Sequence, residues 1–576
     1  MPPRTGPGRV VRVSGPLVEM EGLGNVAMSE LVGLGPEGLL AEVVGLDGDR
    51  TTVQAYEYTG GLAVGDPARR MGRPLSARLG PHLLGGVFDG LLRPLSDGPV
   101  WLVPGAATGG TAQPQLWTPL ATEGTRVDGG AVLGTATAPG RSFVCRVLVP
   151  PGVSGTIDLV APAGTVDLDD TVARVGATTV RLSSWWPVRR PRPVGERLTA
   201  DEPLVTGQRV LDALFPLALG GRAAVPGGFG TGKTMLLQQV AKWCSADVIV
   251  YVGCGERGNE MADVLVELGR LTDPRTDRRL AERTVIIANT SNMPMMAREA
   301  SVYTGVTVAE YFRDMGYHAV LIADSTSRWA EALREFASRS GELPAEEGYP
   351  ASLSSALAAF YERAGRVRTL TGDTASVTVI GAVSPAGGDT TEPVTAQTQR
   401  FVRELWNLDR DLAYARHYPA VSWAGSFSRD ADALARWHAA NGDPDWGRRR
   451  ARTAGLLTEA DRLTSLVELV GAGSLPAHER ITLLAGRLLR EGVLQQNALS
   501  DNDAHSAAPK TAALIEAVLA VVDRCEQLAG SGTPVEALEA VDYSPLLRAA
   551  REVPPDDVDQ IARRRAEVLD TLARLS

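Results

Sequence analysis

Gly227-Gly228-Phe229-Gly230-Thr231-Gly232-Lys233-Thr234 fits the pattern G-x-x-x-x-G-K-[ST]. A loop of this kind wraps a polyphosphate. Its backbone N–H groups point inward, its lysine reaches the outer phosphates, and its hydroxyl ligates Mg²⁺. Glycine suits the loop because the backbone must turn tightly and come close to oxygen. Composition sharpens the match. Of 58 Lys+Arg only three are lysines, Lys233, Lys242 and Lys510. In a chain that otherwise uses arginine, Lys233 is kept for what a compact point charge does and a planar fork does not. The flanks agree. Arg222–Val225 reads as a short strand entering the loop, and Thr234–Trp243 as a helix with apolar residues at helical spacing. Phosphate would then sit on the helix N-terminus, where the dipole favours anions.

A length of 576 residues points to several domains. Hydrophobic content of 44% and charged content of 22% are ordinary for a soluble globular protein. A net charge of −10 argues against a nucleic-acid binder. No apolar run reaches membrane-spanning length, and the N-terminus carries no apolar signal core, so a cytoplasmic location is expected. Cys145, Cys244, Cys254 and Cys525 are far apart and suggest neither a disulfide framework nor zinc. Each reads as a small buried apolar residue, with Cys254 a candidate for redox sensitivity because it lies beside the proposed site.

The fold class expected is multidomain α+β. Residues 1–70 alternate apolar and polar positions between glycine-rich turns and predict an N-terminal β-barrel, with strands around Val10–Val13, Leu40–Val44 and Thr52–Tyr56. A connection follows at 71–110. Residues 111–183 form a β-rich bulge insertion, with strands at Phe143–Val149 and Thr178–Leu182. Trp185–Pro193 reads as a stiff, solvated, proline-rich connector. Residues 184–430 alternate strands and helices, the signature of a P-loop (RecA-like) α/β domain with a parallel sheet. Residues 431–576 predict a C-terminal helical bundle.

Hydrolysis of a phosphoanhydride needs Mg²⁺, a positioned water and positive charge at the transition state. Asp247–Val252 is a buried-strand pattern running into Gly253-Cys254-Gly255-Glu256-Arg257. Ligands gather at the C-terminal ends of strands in such sheets. Glu256 emerges there, a carboxylate able to hold an attacking water and take its proton. Arg257 would brace either the γ-phosphate or Glu256. Ala319–Asp324 is an apolar strand ending in an acid, the pattern of the element whose Asp orients Mg²⁺. The serines and threonine of Ser325-Thr326-Ser327 are candidate caps for a following helix. Glu346 and Glu347 are an alternative source of a base. Phe229 and Tyr418 offer flat apolar faces for an adenine ring.

These residues resemble the catalytic A subunit of the V-type and archaeal/bacterial A-type rotary ATPases. The match runs through Arg12–Pro16, Gly65–Pro67, Asp89–Leu95, Trp186–Pro193, Pro226–Thr234, Gly253–Met261, Asn289–Pro294, Ala323–Glu331, Gly387–Asp389, Arg416–Pro419 and Leu494–Ala498. The resemblance implies ATP hydrolysis or synthesis, with ATP/ADP and Mg²⁺ as cofactors. It implies a hetero-hexameric ring alternating with a non-catalytic B subunit, a central rotor stalk, a peripheral stalk near the bulge, and ion (H⁺ or Na⁺) transport through a separate membrane sector. The location implied is the cytoplasmic side of a membrane, peripheral, with no nucleic-acid partner. Residue by residue, Lys233 and Thr234 match the phosphate lysine and the Mg²⁺ hydroxyl. Glu256 matches the glutamate that activates water, Arg257 the adjacent arginine near the γ-phosphate, Asp324 the Walker B acid and Tyr418 an aromatic beside adenine. The resemblance also implies an arginine finger from the neighbouring ring member, so the isolated chain should hydrolyse ATP poorly. The chain departs from the family in three places. Thr231 stands where many relatives carry cysteine, so no disulfide switch is expected there. Ser422 and Ala424–Gly425 replace larger residues after the Tyr-Pro segment. Residues 105–125 match poorly.

Two other readings compete. A ring translocase on the same core, such as an RNA-tracking helicase or a secretion-system ATPase, fits poorly with the acidic balance, the bulge and the long helical C-terminus. A nucleotide-binding spacer without turnover has no need of Glu256.

Overall fold

The computed structural model describes residues 8–95, 113–273, 276–555 and 557–575. The expected connection at 71–110 and the start of the bulge therefore lie partly outside the described residues. The chain divides into two compact units: one of Met1–Thr199, Ala246–Val383 and Thr391–Phe401, the other of Ala200–Ser245, Ser384–Thr390 and Val402–Ser576.

In the first unit, alternation builds the barrel. Along Leu17–Glu21 every second side chain is buried, and Val10, Val18, Met20, Val32, Leu34 and Val53 share one core. Six strands close in the order Gly8–Ser14, Leu17–Glu21, Arg50–Ala55, Leu39–Asp47, Glu30–Leu34, Pro67–Pro74. Closure leaves no unpaired sheet edge. The β-rich segment that follows folds as two four-stranded sheets. Trp117, Leu133, Ile157, Val172 and Val175 fill the core between them, and the buried indole of Trp117 donates to the Ala161 carbonyl at 3.0 Å.

Two expectations change. The strand predicted over Phe143–Val149 is Cys145–Leu148. Phe143 instead packs its ring 4.7 Å from Tyr317, whose hydroxyl donates to the Val144 carbonyl at 2.6 Å. Aromatic packing draws the chain out of the ladder there. The Trp185–Pro193 connector is exposed at Trp185, Arg189, Arg190, Pro191 and Pro193, but it is anchored rather than free. Ser184–Pro187 pairs antiparallel with Ser76–Leu79. Arg189 bridges Glu42 at 2.9 Å and Glu299 at 2.6 Å. Arg192 is buried and pairs with Asp314 at 2.6 Å, while its backbone N–H donates to Glu310. The acids that claim these arginines lie in the barrel and on the Met295–Asp314 helix, far off in sequence.

The first unit also holds a parallel sheet in the order Thr374–Val383, His318–Asp324, Val248–Cys254, Thr284–Asn289, Val87–Phe88. Val248–Cys254 and Thr284–Asn289 are buried at every position, which is why they read as continuous apolar runs rather than alternating ones.

In the second unit, Arg222–Pro226 pairs parallel with Glu404–Leu405, which pairs antiparallel with Phe427–Ser428. Long helices follow at Trp446–Val470, Ala477–Leu489, Ala508–Gly530 and Val558–Ala573, each in contact with the next. Among the described residues no helix is long and apolar enough to cross a membrane.

Candidate active site

The glycine loop lies in the second unit. Arg222–Pro226 is the strand that enters it, and the helix that leaves it spans Lys233–Trp243. Between them Gly230 and Gly232 have φ of 82° and 84°, the left-handed region where a side chain is strained. The buried Thr231 hydroxyl donates to the Gly228 carbonyl at 2.8 Å, fixing the turn from within. Lys233 opens the helix, and its ammonium hydrogen-bonds the Ser384 hydroxyl. Thr234 follows, exposed in the first turn. The Gly387–Asp389 turn lies beside the loop, since a Cβ on Gly228 would stand 3.8 Å from the Gly388 Cα.

Of the two aromatic candidates, Phe229 stands 92% exposed at the loop tip. Tyr418 packs against the loop itself: a Cβ on Gly232 would meet its ring at 3.1 Å. The Tyr418 ring keeps one side open, being 41% exposed.

The acids lie in the first unit. The His318–Asp324 and Val248–Cys254 strands run parallel, with Gly253 opposite Asp324. Asp324 and Glu256 therefore leave the C-terminal edge of one sheet on adjacent strands, where ligands of such sheets gather. Asp324 is 3% exposed and accepts a hydrogen bond from the Tyr251 hydroxyl at 3.1 Å. Glu256 is half-buried, and its backbone is held on both sides: the Gly255 N–H donates to the Asn289 carbonyl, and the Glu256 carbonyl accepts from the Ser291 N–H. A Cβ on Gly255 would stand 2.7 Å from the Arg328 Cβ and 3.1 Å from the Arg298 Cδ. Two arginines thus flank the loop bearing Glu256. Arg257 is exposed at the N-cap of the Gly258–Arg270 helix.

Other candidates resolve plainly. All four cysteines are free and buried. Burial pushes the Cys254 thiol up to about 12, which removes the thiolate that redox sensitivity requires. Glu346 and Glu347 are exposed in a short turn. Ser325 occupies the N-cap of the Thr326–Ser340 helix without a side-chain capping bond, and the Thr326 hydroxyl instead donates to the Ala382 carbonyl at 2.9 Å. Sequence reasoning missed Ser384 and Tyr251. Each had a weak signal: a hydroxyl just past an apolar strand, and one phenol in an otherwise aliphatic one.

Family models cover most of the chain. The nucleotide-binding domain of the ATP synthase alpha/beta family matches residues 207–428, and that family's β-barrel domain residues 10–72. The ATP synthase alpha/beta barrel-sandwich domain matches residues 113–189, and the C-terminal domain of V and A type ATP synthase residues 435–532. The V-type ATP synthase alpha chain of Anaeromyxobacter sp. (strain K) is 48% identical over 575 residues, 99% of each chain. The corresponding chain of the A-type ATP synthase of Methanopyrus kandleri is 45% identical over 567 residues, 96% of this chain and 95% of that one. Among solved structures, the assembled ATPase EscN of the enteropathogenic E. coli type III secretion system superposes with a TM-score of 0.64. It covers 89% of this chain and all of its own, at 24% identity, a likeness of fold alone.

Proposed function

As the chain belongs to the V- and A-type branch of the ATP synthase alpha/beta family, we propose that its glycine loop and its two strand-end acids act on one Mg-ATP. The chain is the catalytic, ATP-hydrolysing and ATP-synthesising subunit of a rotary ATPase. One observation carries the assignment of residues: Asp324 and the strand leading to Glu256 end in register on neighbouring strands.

In this reading the N–H groups of Gly227–Thr234 cradle the phosphates and Lys233 neutralises the outer ones. Thr234 and Asp324 hold Mg²⁺. The donor set fits that ion: a hydroxyl in the first helical turn and a carboxylate, hard oxygens of the kind Mg²⁺ takes alongside water and phosphate. Bound there, Mg²⁺ supplies charge neutralisation on the phosphate oxygens. Glu256 orients the attacking water and accepts its proton. Arg257 meets charge developing at the γ-phosphate. Tyr418 supports the adenine ring by stacking.

The chain works within a multi-subunit rotary complex. We place it in an alternating ring with a non-catalytic B subunit, around a central rotor stalk and beside a peripheral stalk, on the cytoplasmic side of the membrane. It touches the membrane sector only indirectly and binds no nucleic acid. The division we propose is 1–70, 71–110, 111–183, 184–430 and 431–576.

The test is co-expression with the neighbouring ring subunits. Lys233→Ala should leave the ring assembled and abolish ATP hydrolysis. Wild-type hydrolysis by that variant would overturn the assignment.

A further inference from the structure

The Val248–Cys254 strand is aliphatic through Val248, Ile249, Val250 and Val252, yet it carries one phenol, Tyr251. That side chain is 1% exposed. A buried hydroxyl costs free energy unless it is hydrogen-bonded. The Tyr251 hydroxyl donates to Asp324 Oδ2 at 3.1 Å. Strand register explains how the two meet. Tyr251 lies opposite Ile322, two positions before Asp324 on the neighbouring parallel strand, so the ring reaches along the sheet toward its C-terminal edge.

We propose that Tyr251 is a positioning residue for the divalent cation: its hydroxyl fixes the Asp324 carboxylate and so sets how tightly the site holds Mg²⁺. The inference rests on the reading of Asp324 as a cation-holding acid. A carboxylate that holds a metal gains affinity when an outer donor restricts its orientation, and loss of such a donor costs about tenfold or more. Tyr251→Phe removes one oxygen and keeps the ring, so the packing of the strand is preserved.

Mn²⁺ binding to the full-length chain with ADP, followed by electron paramagnetic resonance, reads the effect directly. Tyr251→Phe should weaken Mn²⁺ binding about tenfold, while ADP binding without metal and the melting temperature stay as in the wild type. In the assembled complex, the Mg²⁺ concentration for half-maximal ATP hydrolysis should rise by the same factor. Three results would overturn the proposal. Unchanged Mn²⁺ affinity in Tyr251→Phe, with a loss in Asp324→Asn, removes Tyr251 and leaves Asp324 in place. Unchanged affinity in both variants removes Asp324 from the cation site as well. Equal loss of ADP binding with and without metal in Tyr251→Phe assigns the phenol to folding alone.

Discussion

Gly232→Ala tests whether the loop and Tyr418 form one surface. Gly232 is the N-cap of the Lys233–Trp243 helix at φ 84°. An alanine in the left-handed region costs about 1–2 kcal/mol. A second cost comes from the ring. The new Cβ would lie 3.1 Å from Tyr418 Cε1 and 3.3 Å from Cδ1, whereas carbon atoms pack best at about 3.5–4.0 Å. The ring must therefore swing outward by a few tenths of an ångström. If nucleotide binds only the native loop, the backbone cost alone lowers the competent fraction by up to about 5- to 30-fold, and apparent affinity falls by the same factor. The assay is titration of the full-length chain with a fluorescent ADP analogue, alongside thermal melting. A double-mutant cycle with Tyr418→Ala separates the two costs. Removing the ring relieves the contact but leaves the backbone strain, so the double variant should bind less weakly than the two single losses combined. Unchanged affinity in Gly232→Ala would refute the reasoning, and strict additivity in the cycle would refute the contact with Tyr418.

Lys510 is fully buried, and its ammonium donates to the carbonyls of Asn502, Ala550 and Val553 at 2.6, 2.9 and 2.8 Å. Lys510→Met leaves three acceptors without that donor and should destabilise the helical region by about 3 kcal/mol, read as a lower denaturant midpoint; a loss below about 1 kcal/mol would contradict this. His82 gives a pH dependence. Burial, with the Arg78 charge nearby, lowers it to about 4, while an unfolded imidazole titrates near 6.5. Between those values the unfolded state holds the extra proton, so stability falls as pH falls from about 6.5 to 4, by up to about 3 kcal/mol from this group. Denaturant midpoints measured across that range should slope accordingly, and His82→Phe should flatten the slope by about one proton.

Sequence carried the loop because it is local: glycine spacing, one retained lysine and an amphipathic helix lie within a few turns of chain. The parallel strands were legible because burial on both faces leaves uninterrupted apolar runs, as in Val248–Cys254. What stayed hidden depends on register between distant segments. Tyr418 could be named as an aromatic, but its contact with Gly232 comes from the fold. Ser384 meets Lys233 because the chain past Thr374–Val383 passes beside the glycine loop. The ion pairs of Arg189 and Arg192 were not legible because their acids, Glu42, Glu299 and Asp314, are supplied by other elements. Phe143 left its strand for the same kind of reason, a partner ring at Tyr317.

The most direct measurement is single-turnover ATP hydrolysis by the assembled complex carrying Glu256→Gln, with nucleotide binding measured in parallel. Glutamine keeps the size of the side chain and loses its basicity. Mg-ATP should bind as tightly as in the wild type, while hydrolysis slows about a hundredfold or more. Hydrolysis at the wild-type rate would contradict the account.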